Sequence, residues 1–511
     1  MSVLRLAVLL CAAALVLVPA GVRAQADPTP SPSASPRPIP HVPDALTHGA
    51  IVIGGKRLAY SARAGSLLLR DGHNSPTASM FYVAYIAEGA GGTKRPVTFF
   101  WNGGPGSSTI WLHMGSFAPV RVVIPADGTQ PGPVPRLTAN ESSLLDTSDL
   151  VFVDAVGTGW STLVARGQAK DFYGVDEDAK AFAQFIERWV TRNGRWESPK
   201  FLFGESYGTL RAPNVARILG GDGMALSGII LLSSVLDYNL LPIGQGPGED
   251  YPYIAYLPTE AAVAWYHHKV PGNPPDLVRF VSEVSVFAGG AYAHALLLGD
   301  ALDPATRSAI VAKLHAYTGL SESYIRAADL RIVPGKFRQE LLRGQSDTLG
   351  RYDARYSGRA LDANAAFPDY DPSNTMTSAA FVAAFNHYAH DVLHYRDERP
   401  YDVLAFDVNR AWKYQRDDDP SAPSVVADLK SALTLNPSLR VLAASGYFDL
   451  ATGFYGTEYL LHHMGLDAAQ SRRVEVANFR SGHMVYLNHD ALVAFKAELV
   501  RFYREAQAPA R

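Results

Sequence analysis

Cysteine is the scarcest residue of this sequence, with Cys11 the only one among 511 residues. A single cysteine cannot form a disulfide within the chain, and cysteine-based metal sites need several thiolates. Cys11 also lies in a predicted N-terminal signal, so we expect the mature chain to have neither a disulfide nor a cysteine metal site. A chain of this length can instead be stabilised by burial of an apolar core.

Long apolar runs are also scarce. Residues 1–24 are predicted to be a secretory signal peptide, with Arg5 before an apolar stretch at residues 6–18 and small residues around Ala24. The stretch is short for a membrane span, which needs about 20 residues. No later run is predicted to span a membrane. We therefore expect an exported protein, periplasmic or extracellular, without stable membrane insertion.

Neither sign of charge is in large excess. The 46 Lys and Arg residues are balanced by 49 Asp and Glu residues, for a net charge of −3, which argues against a nucleic-acid partner. His267-His268 and Asp417-Asp418-Asp419 resemble fragments of metal sites, but neither has a matching set of further ligands. The sequence therefore predicts no metal site and no cofactor.

The chain divides into five predicted segments. The signal peptide is followed at residues 25–47 by a Pro- and Ser-rich stretch that is typical of an extended linker. Residues 48–240 are predicted to form the first half of a core, residues 241–400 a mostly helical cap insertion, and residues 401–511 the second half of the core.

The first half of the core begins with strand-like runs separated by turns, which predict an antiparallel meander near residue 50 with separate strands at residues 58–60 and 66–69. Strands then alternate with helices, a pattern that predicts a doubly wound α/β fold with a parallel sheet. In the cap, Asp303-Pro304 is typical of a helix N-cap followed by proline at the first helical position. Residues 381–395 are predicted to form a further cap helix.

A serine flanked by glycines lies between a predicted buried strand and a predicted helix, in Gly204-Glu205-Ser206-Tyr207-Gly208. This pattern is typical of a nucleophile elbow. The turn is sharp and strained, so side chains at the flanking positions would strike the strand or the helix. Ser206 would project at a helix N-terminus, where free N–H groups favour a developing negative charge. The alternative is an ordinary glycine-rich turn.

A second glycine-rich loop follows the predicted strand at residues 96–101 and has the sequence Asn102-Gly103-Gly104-Pro105-Gly106-Ser107-Ser108. So many glycines indicate a backbone that approaches another group closely. A phosphate-binding loop is the alternative, but the lysine and the spacing of a P-loop are missing.

Together with residues 154–159, 446–453 and 482–485, these motifs resemble, in order, the signatures of the serine carboxypeptidase family. The resemblance covers about residues 48–511 and is weakest in the cap. It implies an α/β-hydrolase fold, in which a doubly wound, mostly parallel sheet has N-terminal antiparallel strands and a mostly helical cap insertion. It also implies a bacterial-type enzyme without the usual disulfides that removes single C-terminal residues from peptides.

Ser206, Asp449 and His483 occur in the nucleophile–acid–base order of α/β-hydrolases, and the last two each follow a predicted strand. Asp237 is a rival acid after the preceding strand, although a helix cap is the commoner role there. In the catalytic interpretation, His483 takes the proton of Ser206 as the hydroxyl attacks the peptide carbonyl, and Asp449 orients the imidazole.

The resemblance also implies roles for the residues around the nucleophile. The backbone N–H groups of Gly104 and Tyr207 would form the oxyanion hole. Asn102, Gly103 and Glu205 would bind the substrate, with Asn102 and Glu205 holding its terminal carboxylate. Two carboxylates can share a hydrogen bond only if one is protonated, so we expect a neutral Glu205 and an acidic pH optimum for peptides.

The sequence departs from the family pattern at three places. Ser107 stands where the family usually has a cysteine, and Phe100 where it usually has a tryptophan, with Trp101 next to Asn102 instead. No residue at positions 112–119 matches the further acid that assists carboxylate binding in yeast and plant members. The triad depends on none of these positions, whereas recognition of the carboxylate does.

Two other functions stay open. The same triad could serve an esterase or acyltransferase, because this fold accepts many acyl acceptors. A non-catalytic exported binding protein is the remaining alternative, and an intact triad argues against it. The expected partner is a peptide with a free C-terminus, and the sequence does not predict an oligomeric state.

Overall fold

The computed structural model describes residues 35–89, 92–125, 135–242, 246–416 and 421–508. The predicted signal peptide, residues 25–34 of the predicted linker and the acidic cluster at residues 417–419 lie outside the described residues. Arg37–Arg511 forms one compact unit. The five segment boundaries stay predictions, because the elements alone do not define them.

The described strands form one ten-stranded sheet and two small two-stranded sheets. In chain order they are β1 Ala45–Ile53, β2 Lys56–Arg70, β3 Pro76–Ala87, β4 Val97–Trp101, β5 Val120–Val122, β6 Leu137–Ala139, β7 Asp149–Val153, β8 Thr162–Leu163, β9 Lys200–Glu205, β10 Gly228–Leu232, β11 Asp347–Leu349, β12 Ser357–Arg359, β13 Arg440–Gly446 and β14 Val474–Phe479.

The described α-helices lie before, between and after these strands, with short 3₁₀ and π turns among them. They are α1 Ile110–Gly115, α2 Val175–Arg192, α3 Tyr207–Gly221, α4 Tyr251–Tyr266, α5 Leu277–Phe287, α6 Ala293–Leu298, α7 Pro304–Thr318, α8 Glu322–Ala327, α9 Pro334–Glu340, α10 Pro372–His387, α11 Phe406–Arg410, α12 Val426–Leu435, α13 Phe454–His462, α14 Ala468–Ser471 and α15 His489–Ala506.

The large sheet has the order β1-β2-β3-β7-β4-β9-β10-β13-β14, and β8 pairs with β3. The first four strands in this order are antiparallel neighbours. Every pair from β7 to β14 is parallel. The predicted fold class is therefore confirmed, including the antiparallel N-terminal strands.

The central strands are covered on both faces of the sheet. β4, β7, β9 and β10 are buried along their whole length, as their continuous apolar sequences require. Helices α2, α3 and α12 contribute to the apolar cluster on one face. Helices α1, α10 and α15 contribute to the cluster on the other face. This double layer holds the carboxyl ends of the parallel strands in fixed positions.

Two details of the meander differ from the sequence prediction. The runs at residues 58–60 and 66–69 belong to the single strand β2, because its pairing with β3 is continuous from Tyr60 to Leu69. Gly65, between the two runs, pairs with Tyr82 within this ladder. The meander also begins earlier than expected, since β1 starts at Ala45.

Helices α4 to α9 pack around a separate apolar cluster between β10 and β13. Asp303 caps α7 as predicted, accepting hydrogen bonds from the N–H groups of Ala305 at 3.1 Å and Thr306 at 2.9 Å. The helix predicted at residues 381–395 has different bounds, because α10 ends at His387 and a π turn follows. Phe381 of α10 packs against the sheet cluster and not the cap cluster.

One helical run, Leu277–Ala301, is long and apolar enough to cross a membrane by length and composition, with a mean hydropathy of 1.3. The sequence predicts no membrane-spanning run after the signal peptide; this helical run includes a π turn at Ala288–Tyr292. Buried helices of soluble proteins meet the same criterion, and 33% of the run is buried.

Candidate active site

The turn at Ser206 has the strained geometry of a nucleophile elbow. Ser206 has φ 59° and ψ −130° between the end of β9 and the start of α3, a conformation that L-residues rarely adopt. A Cβ on Gly204 would lie 2.2 Å from the carbonyl oxygen of Gly208, and a Cβ on Gly208 would lie 2.7 Å from Trp101. The strand and helix can approach this closely only because both positions are glycine.

Asp449 and His483 lie side by side after β13 and β14. Nδ1 of His483 is 2.7 Å from Oδ2 of Asp449, and both side chains are buried. Burial lowers the pKa of His483, but the Asp449 carboxylate outweighs it, so the net pKa is above its ordinary value. This contact favours the tautomer with Nδ1 protonated and leaves Nε2 free to accept a proton.

Several groups hold this pair in place. The Thr452 hydroxyl donates to Oδ2 of Asp449 at 2.6 Å, and the N–H groups of Ala451 and Thr452 donate to Oδ1 at 2.8 and 3.0 Å. The backbone of His483 donates to the carbonyl of Tyr352 at 2.6 Å and accepts from the Ser233 hydroxyl at 2.6 Å. The imidazole is therefore fixed from the sheet and from the segment at Tyr352.

The rival acid and the histidine pair have structural contacts. Asp237 caps a short 3₁₀ turn and accepts from the N–H of Asn239 at 2.8 Å. Nε2 of His267 lies 2.7 Å from the carbonyl of Ala354. In the part of the chain that the structure describes, no group of three or more His, Cys, Asp or Glu residues could hold a metal ion.

A cavity of about 200 Å³ opens above the elbow. It is lined by Ser206 and His483 together with the predicted oxyanion and substrate-binding residues Asn102, Gly103, Gly104, Glu205 and Tyr207. Asp449 is absent from the lining because it lies behind His483. The structure thus brings the predicted site residues together from β4, β9, β13, β14 and the loops after them.

The loop at residues 102–108 lies directly against the elbow. A Cβ on Gly103 would be 2.4 Å from the amide nitrogen of Tyr207. Residues near position 404 hold the loop: Ser108 donates to the carbonyl of Val403 at 3.0 Å, and Ala405 donates to the carbonyl of Gly106 at 2.7 Å. Backbone hydrogen bonds therefore fix the loop where Ser107 replaces the family's cysteine.

Asn102 and Glu205 form a buried amide–acid pair. Nδ2 of Asn102 donates to Oε1 of Glu205 at 2.8 Å, and Oδ1 of Asn102 accepts from the N–H of Leu112 at 3.0 Å. Oε2 of Glu205 and the neighbouring Tyr486 hydroxyl are both buried without a well-formed hydrogen bond among the described residues. Burial raises the pKa of Glu205 to about 7, although His483 and Tyr486 lower it.

A fully buried ion pair supports Asn102 from below. Nε of Arg211 donates to Asp178 at 2.6 Å, and Nη1 of Arg211 donates to the backbone carbonyl of Asn102 at 2.8 Å. Sequence reasoning missed both residues, because α2 and α3 lie far from the loop along the chain. It also missed Thr452 and Tyr486. Thr452 follows Asp449 by three residues in a turn, and this spacing could have suggested their hydrogen bond.

The other departures from the family pattern have simple structural consequences. Trp101 points away from the cavity and donates to the carbonyl of Gly208 at 2.8 Å. Phe100 stacks between Phe152 and Phe203, at ring distances of 4.7 and 4.8 Å. His113, within the stretch that lacks the further acid, is buried, and burial lowers its pKa to about 3.

The sheet order and the serine between β9 and α3 are those of an α/β-hydrolase. Within this class, residues 61–234 match the family model for serine carboxypeptidase. This match confirms the resemblance on which the sequence interpretation rests.

Individual relatives are similar to the chain over part of their length. The chain is 32% identical over 148 residues to serine carboxypeptidase-like 44 of Arabidopsis thaliana, covering 28% of each chain. It is 27% identical over 225 residues to the pheromone-processing carboxypeptidase KEX1 of Cryptococcus gattii, covering 42% of this chain and 30% of the relative. These alignments therefore span less than a third of the length of either relative.

Similarity in fold covers more of the chain than similarity in sequence. The crystal structure of KEX1(delta)p, a prohormone-processing carboxypeptidase from Saccharomyces cerevisiae, superposes with a TM-score of 0.57 at 17% identity. The superposition covers 87% of this chain and 91% of that one.

Proposed function

We propose that this protein is a serine carboxypeptidase that releases C-terminal residues from peptides through an acyl-enzyme. One observation carries the proposal: a single cavity joins Ser206 and His483 to the buried pair of Asn102 and Glu205. A buried acid lowers the stability of the folded protein unless it has a hydrogen-bonding or charged partner. An exopeptidase needs such a partner for the substrate's terminal carboxylate, whereas an esterase or endopeptidase does not.

The proposed triad consists of Ser206, His483 and Asp449. Ser206 attacks the scissile carbonyl while Nε2 of His483 takes its proton, and Asp449 stabilises the imidazolium that forms. His483 then gives the proton to the leaving amine, and water hydrolyses the acyl-enzyme with the same imidazole as base. The 2.7 Å contact between His483 and Asp449 supports these roles.

The oxyanion would be bound by the backbone N–H groups of Tyr207 and Gly104. Tyr207 is the first residue of α3, so its N–H has no acceptor within the helix. Gly104 follows Gly103, which is in tight contact with the Tyr207 amide. Loss of one such donor typically lowers kcat by about 10²–10³.

The terminal carboxylate of the peptide would be bound by Asn102 and Glu205. Because Oε1 of Glu205 accepts from Asn102, the proton of the neutral acid belongs on Oε2, which lies near the Tyr486 hydroxyl but has no well-formed hydrogen bond among the described residues. That O–H can donate to a substrate carboxylate, and the second hydrogen of the Asn102 amide can donate to it as well. Below its pKa of about 7, Glu205 is in the form that this binding requires.

His483 and Glu205 set opposite limits on the pH range in which peptides are hydrolysed. His483 must be neutral to act as base, and its raised pKa moves the acid limit above the ordinary value of 6.5. Glu205 must be protonated, which places the alkaline limit near pH 7. We therefore expect a narrow optimum close to neutrality, higher than the acidic optimum expected from the sequence.

We also propose that the chain is exported after removal of residues 1–24 and acts on peptides in the periplasm or outside the cell. The signal-peptide pattern supports this proposal. The predicted cleavage places the mature N-terminus near Gln25, which N-terminal sequencing of the secreted protein would test.

The function is tested with an N-blocked dipeptide acid, the matching dipeptide amide and the matching ester. We expect rapid hydrolysis of the acid, labelling of Ser206 by a fluorophosphonate, and loss of both in Ser206→Ala. Ser107→Ala, which alters another serine of the cavity, is the matched control and should keep both. Hydrolysis of the ester without any hydrolysis of the peptide would favour an esterase or acyltransferase, and labelling of Ser107 would refute the site.

A further inference from the structure

One cationic side chain of the cavity has no place in the mechanism above. Arg351 lines the cavity and is solvent exposed. It lies between β11 and β12 in the segment that also carries Tyr352, whose ring is 5.3 Å from that of His483. Sequence reasoning gave no reason to single out this arginine, because no local motif surrounds it.

The backbone of Arg351 is anchored, whereas its guanidinium is free. Its N–H donates to Asp371 at 3.0 Å and its carbonyl accepts from the N–H of Leu450 at 3.1 Å. The guanidinium lies over the Tyr352 ring, 5.4 Å from the centroid. Among the described residues it forms neither an ion pair nor a side-chain hydrogen bond.

Neighbouring arginines of the same segment behave differently. Four are paired with carboxylates: Arg331 with Asp250 at 2.7 Å, Arg343 with Glu340 at 2.6 Å, Arg355 with Asp353 at 2.6 Å and Arg359 with Asp347 at 3.8 Å. Arg338 instead donates to the backbone carbonyls of Leu349 and Tyr370. Arg351 differs from all five, because its guanidinium has no such acceptor among the described residues and faces the cavity.

The neighbouring carboxylates form no ion pair with this guanidinium among the described residues. Asp371 accepts a hydrogen bond from the backbone N–H of Arg351, and the charges of Asp371 and Asp449 reach the guanidinium only at longer range. Glu205 is neutral below its pKa of about 7. Asp449 is buried, and both of its oxygens accept hydrogen bonds from Thr452, Ala451 or His483. Arg351 thus provides the one fixed charge that a substrate meets among the described lining residues, and a guanidinium binds a carboxylate in a bidentate manner.

We propose that Arg351 binds an acidic side chain of the peptide next to the scissile bond, so that the enzyme prefers substrates with Glu or Asp there. This inference rests on the proposed function. The terminal carboxylate offers the same chemistry, but Asn102 and Glu205, at the ends of β4 and β9, already provide for it. Arg351 instead approaches from the segment that contacts the Asp449 loop.

The test uses two series of N-blocked dipeptides and the purified full-length mature protein. Glu, Gln, Leu and Lys are placed in turn on the acyl side of the scissile bond in one series and on the leaving side in the other. Glu and Gln are nearly isosteric, so the ratio of their kcat/KM values isolates the charge. A charge-assisted hydrogen bond predicts a preference of about 10- to 100-fold for Glu in one series.

Three variants separate the side chain from general effects. Arg351→Gln should bring the Glu/Gln ratio to about one while the Gln and Leu peptides keep their rates within a few fold. Arg351→Glu should favour the Lys peptide. Arg57→Glu, which changes an exposed arginine of β2 away from the cavity, should keep the wild-type ratio. Thermal unfolding of each variant shows whether it is folded.

A Glu/Gln ratio near one in both wild-type series, or an unchanged ratio in Arg351→Gln, overturns the proposal. The proposal is also overturned if Arg351→Gln lowers the rate equally for all free-acid peptides and leaves the rates for the peptide amides unchanged, because Arg351 would then bind the terminal carboxylate.

Labelling of Ser206 by phosphonates with a glutamate-like or glutamine-like side chain gives a second readout that needs no peptide turnover. A preference for the glutamate-like probe that Arg351→Gln loses supports the role of Arg351. If the probes show this preference but no peptide is cleaved, the role of Arg351 is supported and the peptidase assignment is rejected. A failure of the Arg351 proposal can therefore be distinguished from a failure of the proposed function.

Discussion

Replacement of Glu205 by glutamine is the perturbation whose effect the structure defines best. The variant keeps the hydrogen bond from Asn102 and the size of the side chain, but an amide does not titrate. In the proposed wild-type site, only the protonated acid could donate to a substrate carboxylate through Oε2. Glu205→Gln should therefore bind peptide acids equally well on both sides of pH 7.

The size of the effect follows from the pKa of about 7 for Glu205. One pH unit above this pKa only about a tenth of the molecules carry the proton, and two units above it about a hundredth. At pH 7 half of the molecules are protonated, so the wild-type KM for a dipeptide acid should rise about fivefold between pH 7 and pH 8 and about tenfold more by pH 9, whereas the variant should show less than a twofold change.

A second signature lies on the acid side of the profile. The Glu205 carboxylate contributes to the raised pKa of His483. Below pH 7 Glu205 is mostly protonated and carries no such charge, so Glu205→Gln should leave the acid limb of kcat/KM nearly unchanged and extend only the alkaline limb. Two coupled groups titrate as a pair, so both limbs should be fitted together.

The assay is the steady-state hydrolysis of an N-blocked dipeptide from pH 5 to pH 9, with the amide of the same peptide in parallel. Glu260→Gln is the matched control, because Glu260 is also a buried acid with a raised pKa but does not line the cavity. It should leave the shape of the profile unchanged. If Glu205→Gln keeps the alkaline rise of KM, the assigned role of Glu205 is wrong.

Three further predictions concern residues around the site. Thr452→Val removes a 2.6 Å hydrogen bond to the acid of the proposed triad and should lower kcat about 10- to 100-fold, with KM nearly constant; an unchanged kcat would contradict this. Arg211→Met leaves Asp178 buried without its partner and should lower the free energy of unfolding by about 3–5 kcal/mol, seen as a lower Cm in urea; an unchanged Cm would show that the pair contributes nothing. Burial raises the pKa of Asp154 and of Glu205 to about 7, so the folded state holds these protons more tightly than the unfolded state. This stabilisation is complete below the unfolded pKa values and is lost as the pH rises through 7, which predicts a lower Tm at pH 8 than at pH 5 and is contradicted by the reverse order.

The sequence was sufficient for features whose signals are local. The glycines at positions 204 and 208 predict the elbow because the strand, the turn and the helix adjoin along the chain. The continuous apolar runs of β4, β9 and β10 predict strands buried on both faces. The predicted roles of Asp449 and His483 depend on chain order, and their 2.7 Å contact agrees with them.

Contacts between distant segments could not be predicted in this way. Arg211 reaches the backbone of Asn102 across 109 positions of sequence, and Tyr486 lies beside Glu205 from the far end of the chain. Phe381 shows the same limit: the pattern of α10 predicts a buried face, but it does not say whether the sheet or the cap buries that face. Arg351 has no local pattern, and only the fold places it in the cavity.

The central claim is that Ser206 and the Asn102–Glu205 pair act in one site on the C-terminal end of a peptide. Mass spectrometry of one peptide as its free acid and as its C-terminal amide, incubated with the wild type and with Ser206→Ala at pH 7, tests it most directly. We predict a ladder of products shortened one residue at a time from the C-terminus of the free acid, little cleavage of the amide, and no products with Ser206→Ala. Equal cleavage of acid and amide, or internal cuts, would contradict the claim.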